Sequence, residues 1–182
     1  MIKAKIIKSI LLIIPIFLIT SCSNNSSMKP EDFKNKEPKL IIEEYLSGNV
    51  KAWGVLQNRS GKVTRQFSAD LNGVWDGKQL ILKEKFNWDD GEVQNREWTI
   101  TKIDENNYEG TAVDVVGKAI GYSYGPAFKF EYVLLVPVKG REFKITFDDW
   151  IFKQDDRVAI NRATMTKFGF KVAELTVVFV KD

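Results

Sequence analysis

The chain contains no histidine and a single cysteine, Cys22. Without histidine there is no imidazole to activate a serine or cysteine nucleophile, to ligate zinc or to hold a haem iron. One cysteine allows neither an intrachain disulfide nor a thiolate cluster. No cofactor and no metal site are therefore expected. Long apolar runs are missing as well. Ile10–Ile19 holds ten residues, interrupted by Pro15, where a spanning helix needs about 20. What remains is an ordinary globular composition, 44% hydrophobic, 12% aromatic and 28% charged, which argues against disordered and collagen-like chains. A length of 182 residues suits one domain with an appendage.

The start of the chain reads as an address. Lys3, Lys5 and Lys8 precede the short apolar run, as in a signal peptide. The run ends Leu18-Ile19-Thr20-Ser21-Cys22, which resembles a bacterial lipobox. Cleavage before Cys22 and acylation of its thiol would tether the protein to a bilayer without a spanning segment. Ser23 follows the cysteine where aspartate would signal inner-membrane retention, so the expected location is the outer membrane, facing the periplasm. Residues 1–21 are thus read as a lipoprotein signal peptide, 22–37 as lipidated cysteine and flexible tether, and 38–182 as the folded domain. The 27 basic residues include the three signal lysines, so 24 remain against 24 acidic ones. A mature net charge of zero supplies no footprint for nucleic acid.

The domain reads as strand after strand. Turn signals at Arg59-Ser60-Gly61, Asp76-Gly77-Lys78, Asp89-Asp90-Gly91, Asn106-Asn107, Gly140, Asp155-Asp156 and Gly169 separate short apolar-alternating runs. Lys62–Ala69 and Asn72–Trp75 read as separate strands, and Tyr108–Val116 as one. A glycine-spaced connection, Gly117–Gly125, leads into Phe128–Val138. About nine or ten such runs, with no crossover helices, predict a lipocalin-like antiparallel barrel. The one expected helix is Pro38–Gly48, with Ile41, Ile42, Tyr45 and Leu46 on its buried side.

Strand alternation places charges on apolar faces. Glu84 shares a face with Leu80 and Leu82, Arg65 with Val63 and Phe67, and Arg96 with Trp98 and Ile100. A buried charge needs a partner or water, so these three should form a network or line a wet cavity. Trp53, Trp75, Trp98, Phe128, Phe130 and Tyr132 are the aromatic candidates for its wall. Asp148-Asp149 lies within a strand, so one of the two faces inward. Gly121-Tyr122-Ser123-Tyr124-Gly125 matches a nucleophile-elbow spacing, but a strand pattern follows it and no histidine exists to activate the serine. Asn87–Gly91 has the acidity of a calcium loop, but Phe86 and Trp88 stand at ligand positions.

Several stretches together resemble Gram-negative lipoproteins catalogued as domain of unknown function 3833. They include Ala52-Trp53-Gly54, Arg65-Gln66-Phe67, Arg96 with Trp98, Asp114-Val115-Val116-Gly117, Phe147-Asp148-Asp149-Trp150, Asn161-Arg162-Ala163 and Lys167-Phe168-Gly169. The family pattern has Gly-Asn-Ala where this chain has Gly125-Pro126-Ala127. The resemblance implies a lipoprotein without an established activity, and motif positions at Arg65, Arg96, Trp98, Asp114, Asp149 and Asn161. The resulting expectation is a non-enzymatic barrel that binds an apolar or amphipathic small molecule, such as a fatty acyl compound. Trp53, Trp98 and Phe130 would contact its body, and Arg65 and Arg96, held by Glu84, would fix an anionic head. The alternative is an accessory lipoprotein docking on an envelope complex, whose protein partner the sequence does not name.

Overall fold

The computed structural model describes residues 28–138 and 140–182. Ten antiparallel strands close into one barrel in sequence order, which is the expected architecture. They are β1 (Gly48–Asn58), β2 (Val63–Trp75), β3 (Gln79–Trp88), β4 (Val93–Lys102), β5 (Asn107–Thr111), β6 (Ala119–Tyr124), β7 (Ala127–Val138), β8 (Arg141–Lys153), β9 (Val158–Lys167) and β10 (Phe170–Lys181). β1 closes on β10, from Val50 opposite Lys181 to Asn58 opposite Ala173. Closure pairs the first and last strands and removes the edges an open sheet would expose.

Alternation decides what lies inside. In β2, Phe67, Ala69 and Leu71 are buried while Gln66, Ser68 and Asp70 face water. Large interior rings need small residues on the nearby strands they reach across. A Cβ built on Gly54 would lie 2.3 Å from Cζ of Phe67, and one on Gly110 would lie 2.3 Å from Cζ of Phe130. These glycines are space for rings rather than turn residues.

One end of the barrel is plugged by a single helical turn, α1 (Ile42–Tyr45), with Leu40, Ile42, Tyr45 and Leu46 buried beneath it. Its polar groups find partners in the barrel. The Tyr45 hydroxyl donates to the carbonyl of Arg157 at 2.9 Å, and the Ser123 hydroxyl to that of Leu40 at 3.0 Å. Glu43 is buried against Lys102 and accepts from the Tyr108 hydroxyl at 2.9 Å. Burial pushes the Glu43 carboxyl up, but those two partners outweigh it and hold it below the usual range.

Four expectations need correction. The helix expected over 38–48 shrinks to α1, because Ile41 is extended and the Leu40 amide bonds the carbonyl of Gly125, laying this stretch across the barrel end. The tether read over 22–37 is folded in its described part. Pro30–Phe33 forms a 3₁₀ turn, and the Phe33 ring packs 6.1 Å from Trp150 and 5.5 Å from Phe152 on the outer wall. Lys62–Ala69 and Asn72–Trp75 belong to the one strand β2, since Asp70 and Leu71 continue its ladder to β3. Tyr108–Val116 is strand only to Thr111, and the glycine-spaced segment after it contains β6. The signal peptide, Cys22 and the start of the tether lie outside the described residues.

The plug's fit gives a direct test. A Cβ on Gly73 would meet the backbone carbonyl oxygen of Leu46 at 2.0 Å. Gly73→Ala therefore has to push the plug outward and should lose about 1–3 kcal/mol in urea unfolding. Ser68→Ala, on the outer face of the same strand, should stay within about 0.5 kcal/mol of the parent.

Candidate functional site

β5 and β6 are too short to span the barrel, and the site grows out of that shortage. β4 pairs with β5 only from Thr99 to Lys102, so Val93–Trp98 has no β5 neighbour. The chain from Ala112 to Lys118 fills this side as an irregular strap. Val115 bridges Leu134 of β7, the Val116 amide donates to Val133 O at 2.8 Å, and the Leu135 amide donates to Asp114 O at 2.9 Å. The Asp114 side chain then meets β4. Arg96 donates through Nε and Nη2 to Asp114 Oδ2, at 3.0 and 2.9 Å. Its Nη1 lies 4.0 Å from Glu84 Oε2 on β3, and the two side chains are 15% and 12% exposed.

Between this cluster and the plug, the barrel keeps a cavity of about 110 Å³. Trp98, Phe130 and Tyr132 form one wall, with ring centroids 5.2–5.6 Å apart. Ala52, Leu71 and Val177 line the opposite side. On the polar side Asp149 accepts from the Tyr132 hydroxyl at 2.9 Å and from the Asn161 amide, which also donates to Trp150 O at 3.2 Å.

The carboxyls here are poised near neutrality. Burial raises Glu84 to about 7, with Asp149 and Asp114 adding to the rise and Arg96 opposing it. Burial likewise raises Asp149 to about 6 despite its bonds from Asn161 and Tyr132. Burial pulls Arg96 down, but Glu84 and Asp114 outweigh it and hold the guanidinium charged. Tyr132, buried beside Asp149, is pushed well above the usual phenol range.

Of the residues singled out from the sequence, Glu84, Arg96, Trp98, Phe130, Asp149 and Asn161 line this cavity, and Asp114 holds Arg96. Two do not belong. Trp53 is 50% exposed on the outer wall, because Ala52 and Gly54 take the inward positions beside it. Arg65 sits at the rim, donating to Asp90 Oδ1 and Glu92 Oε2 at 2.8 Å each with its guanidinium 4.0 Å from the Trp88 ring. The three-charge network thus loses Arg65 and contains Asp114 instead. Asp148 faces outward to Lys129 at 3.4 Å. Leu175, Val177 and Phe179 of β10 also line the cavity, and their two-residue spacing in a run of mixed apolar residues carries the signal for it. Gly121–Gly125 is a β6–β7 hairpin whose Ser123 is spent on the plug, not a nucleophile elbow. Asp89–Gly91 is the β3–β4 turn.

A closed, lipocalin-like antiparallel barrel with a mostly apolar interior cavity and a few converging polar groups is the class of protein that this geometry defines. The chain belongs to the family described as Protein of unknown function (DUF3833), whose model matches residues 16–181. No curated protein matches it. Among solved structures it is similar to an S-type phycobiliprotein lyase, CPES, from Guillardia theta, at 12% identity and a TM-score of 0.56, covering 86% of this chain and 94% of that one. It is also similar to a protein of unknown function of the DUF3598 family from Nostoc punctiforme, at 16% identity and a TM-score of 0.59, covering 81% of this chain and 51% of that one. At these identities the likeness is one of fold.

The raised carboxyls predict an unusual pH response. Between about pH 4.5 and about pH 7 the folded state keeps the Glu84 proton that the unfolded chain releases, so stability falls as pH rises through this range. Asp149 acts in the same direction. The melting temperature should therefore be lower at about pH 8 than at about pH 5, and Glu84→Gln should remove much of that drop. A parent protein whose melting temperature rises over this interval would contradict the arrangement.

Proposed function

We propose that this protein is a binding protein of the bacterial envelope that holds a small molecule with an apolar body inside its barrel, tethered to the outer membrane through acyl chains on Cys22. The observation that carries the reading is the interior cavity, with its aromatic wall and the converging groups of Glu84, Arg96, Asp149 and Asn161. Small-molecule sites are built in this way. At about 110 Å³ it is smaller than the roughly 300–1,000 Å³ of drug-sized sites. It takes a ring or a short chain, and a longer acyl portion has to extend toward the open end past Phe67 and Phe86. The similarity to a phycobiliprotein lyase supports a barrel that handles other molecules; we read this chain as a binder rather than an enzyme.

The basic start, the short apolar core, the Leu18–Cys22 box and Ser23 support the envelope location. A second reading, docking on an envelope protein complex, is favoured by one feature. At the β9–β10 tip Phe168 and Phe170 are 89% and 69% exposed, and Phe168 alone among the described non-glycine residues has a positive φ, 52°. Strain and exposure at one aromatic residue are both unfavourable in the isolated molecule.

Native mass spectrometry of the protein extracted from its own envelope tests the first reading. The expected result is an adduct released on denaturation and absent from Ala52→Leu, which fills the cavity wall. An adduct retained by that variant would place the ligand elsewhere. The same spectra should show loss of residues 1–21 and an added diacylglycerol mass, both abolished by Cys22→Ala.

A further inference from the structure

Resting on the reading of the cavity as a binding site, we propose that the head group it accepts is a cation, an amine or a quaternary ammonium, in place of the anion expected from two arginines. The charge balance inside the barrel favours it. Arg65 is outside, tied to Asp90 and Glu92. Arg96 is the cavity's one guanidinium among the described residues, and its Nε and Nη2 are bonded to Asp114. Nη1 lies 4.0 Å from Glu84, an ion-pair contact longer than a hydrogen bond. An anion at Nη1 would stand against the Glu84 carboxyl.

Acceptors, by contrast, are in surplus. Glu84 has its nearest cation 4.0 Å away. Asp149 is held by neutral donors only, the Tyr132 hydroxyl and the Asn161 amide. The second oxygen of Asp114, Oδ1, is buried with no hydrogen-bond partner. Two carboxyls, Glu84 and Asp149, therefore line the cavity with one guanidinium, and that guanidinium is already neutralised from behind by Asp114. The other packed elements do not redress the balance. β1, β2 and β10 and the plug present apolar side chains to the cavity, and β9 presents the neutral Asn161. Glu43 on the plug is engaged by Lys102 and Tyr108. Asp148 and Lys129 pair with each other on the outer face.

The remaining wall suits a cation as well. Trp98, Phe130 and Tyr132 line the cavity together with the carboxyls, while the Phe86 ring already has the Arg96 guanidinium 5.9 Å from its centroid. Ring faces attract ammonium groups, and the attraction grows where water is excluded. Without ligand, protons relieve the excess negative charge, consistent with the raised Glu84 and Asp149. A bound ammonium would relieve it instead, so proton and ligand compete. Affinity for a cation should rise with pH, and affinity for an anion should fall.

An isosteric series tests this on the full-length protein in detergent: benzylamine, benzyl alcohol and benzoate, titrated by ligand-observed NMR. Ala52→Leu serves as the reference for micelle partition. Benzylamine should bind tightest at about pH 8, at least roughly tenfold above benzoate, and should weaken about tenfold at about pH 5, where the carboxyls hold protons. Glu84→Gln should lose most of that pH dependence for benzylamine, with Asp149 keeping the remainder; its melting curve confirms that it is folded. Benzyl alcohol binding with benzylamine no tighter, or benzoate tightest, would overturn the cationic head and leave the binding reading standing. If none of the three binds the parent better than it binds Ala52→Leu, the cavity is not a site and both readings fall.

Discussion

One guanidinium ties the barrel and its site together. Arg96 sits where β4 has run out of a β5 partner, and its bonds to Asp114 fasten the strap that covers the gap. The same group faces Glu84 across the β3–β4 ladder, where the two residues are direct neighbours. Closing a sheet demands that every strand find a partner on both sides. Here an ion pair and three strap-to-β7 contacts complete what two short strands do not. A buried pair of this kind contributes little net stability over a well-packed apolar substitute, but removing one partner costs about 3–5 kcal/mol. Its position beside the cavity makes it a constraint on both architecture and chemistry.

The cavity is what remains after packing. Ten strands enclose a wide interior, and this one is filled from two directions. The plug enters from one end with Ile42 and Leu46, and interior rings meet in edge or tilted contacts along the wall. Gly54 and Gly110 yield the space those rings occupy. The polar side of the cavity survives because its members satisfy one another only in part. Asn161 and Tyr132 hold Asp149, and Asp114 holds Arg96, which leaves Glu84 the least engaged. Such partial satisfaction in a low-dielectric space keeps carboxyls close to neutrality at working pH.

Much of this was legible in the residues, and the failures have identifiable causes. Alternation placed Glu84 and Arg96 on inward faces because mid-strand positions have no other choice. It placed Arg65 on the same kind of face, but Arg65 lies near the open end of β2, where the side chain escapes to Asp90 and Glu92. Alternation reports a face and not a depth. Trp53, expected at the cavity wall, faces outward. Its neighbours Ala52 and Gly54 point inward because the Phe67 ring on β2 fills the space in front of Gly54. The part of the tether from Met28 onward looked featureless because Phe33 finds its partners, Trp150 and Phe152, more than a hundred residues away.

The amino-acid sequence alone determined the antiparallel barrel, the family and most of the inward-facing polar residues. These depend on local signals, glycine-bearing turns and a two-residue period, that each segment carries by itself. Tertiary structure alone decided that Arg65 leaves the network, that Asp114 enters it from a strap, and that Arg96 is tied to Asp114 through two of its nitrogens. Those outcomes depend on which residues meet across strands and on how short β5 and β6 become. Pairing energy is a property of the assembled site, and no single segment holds it.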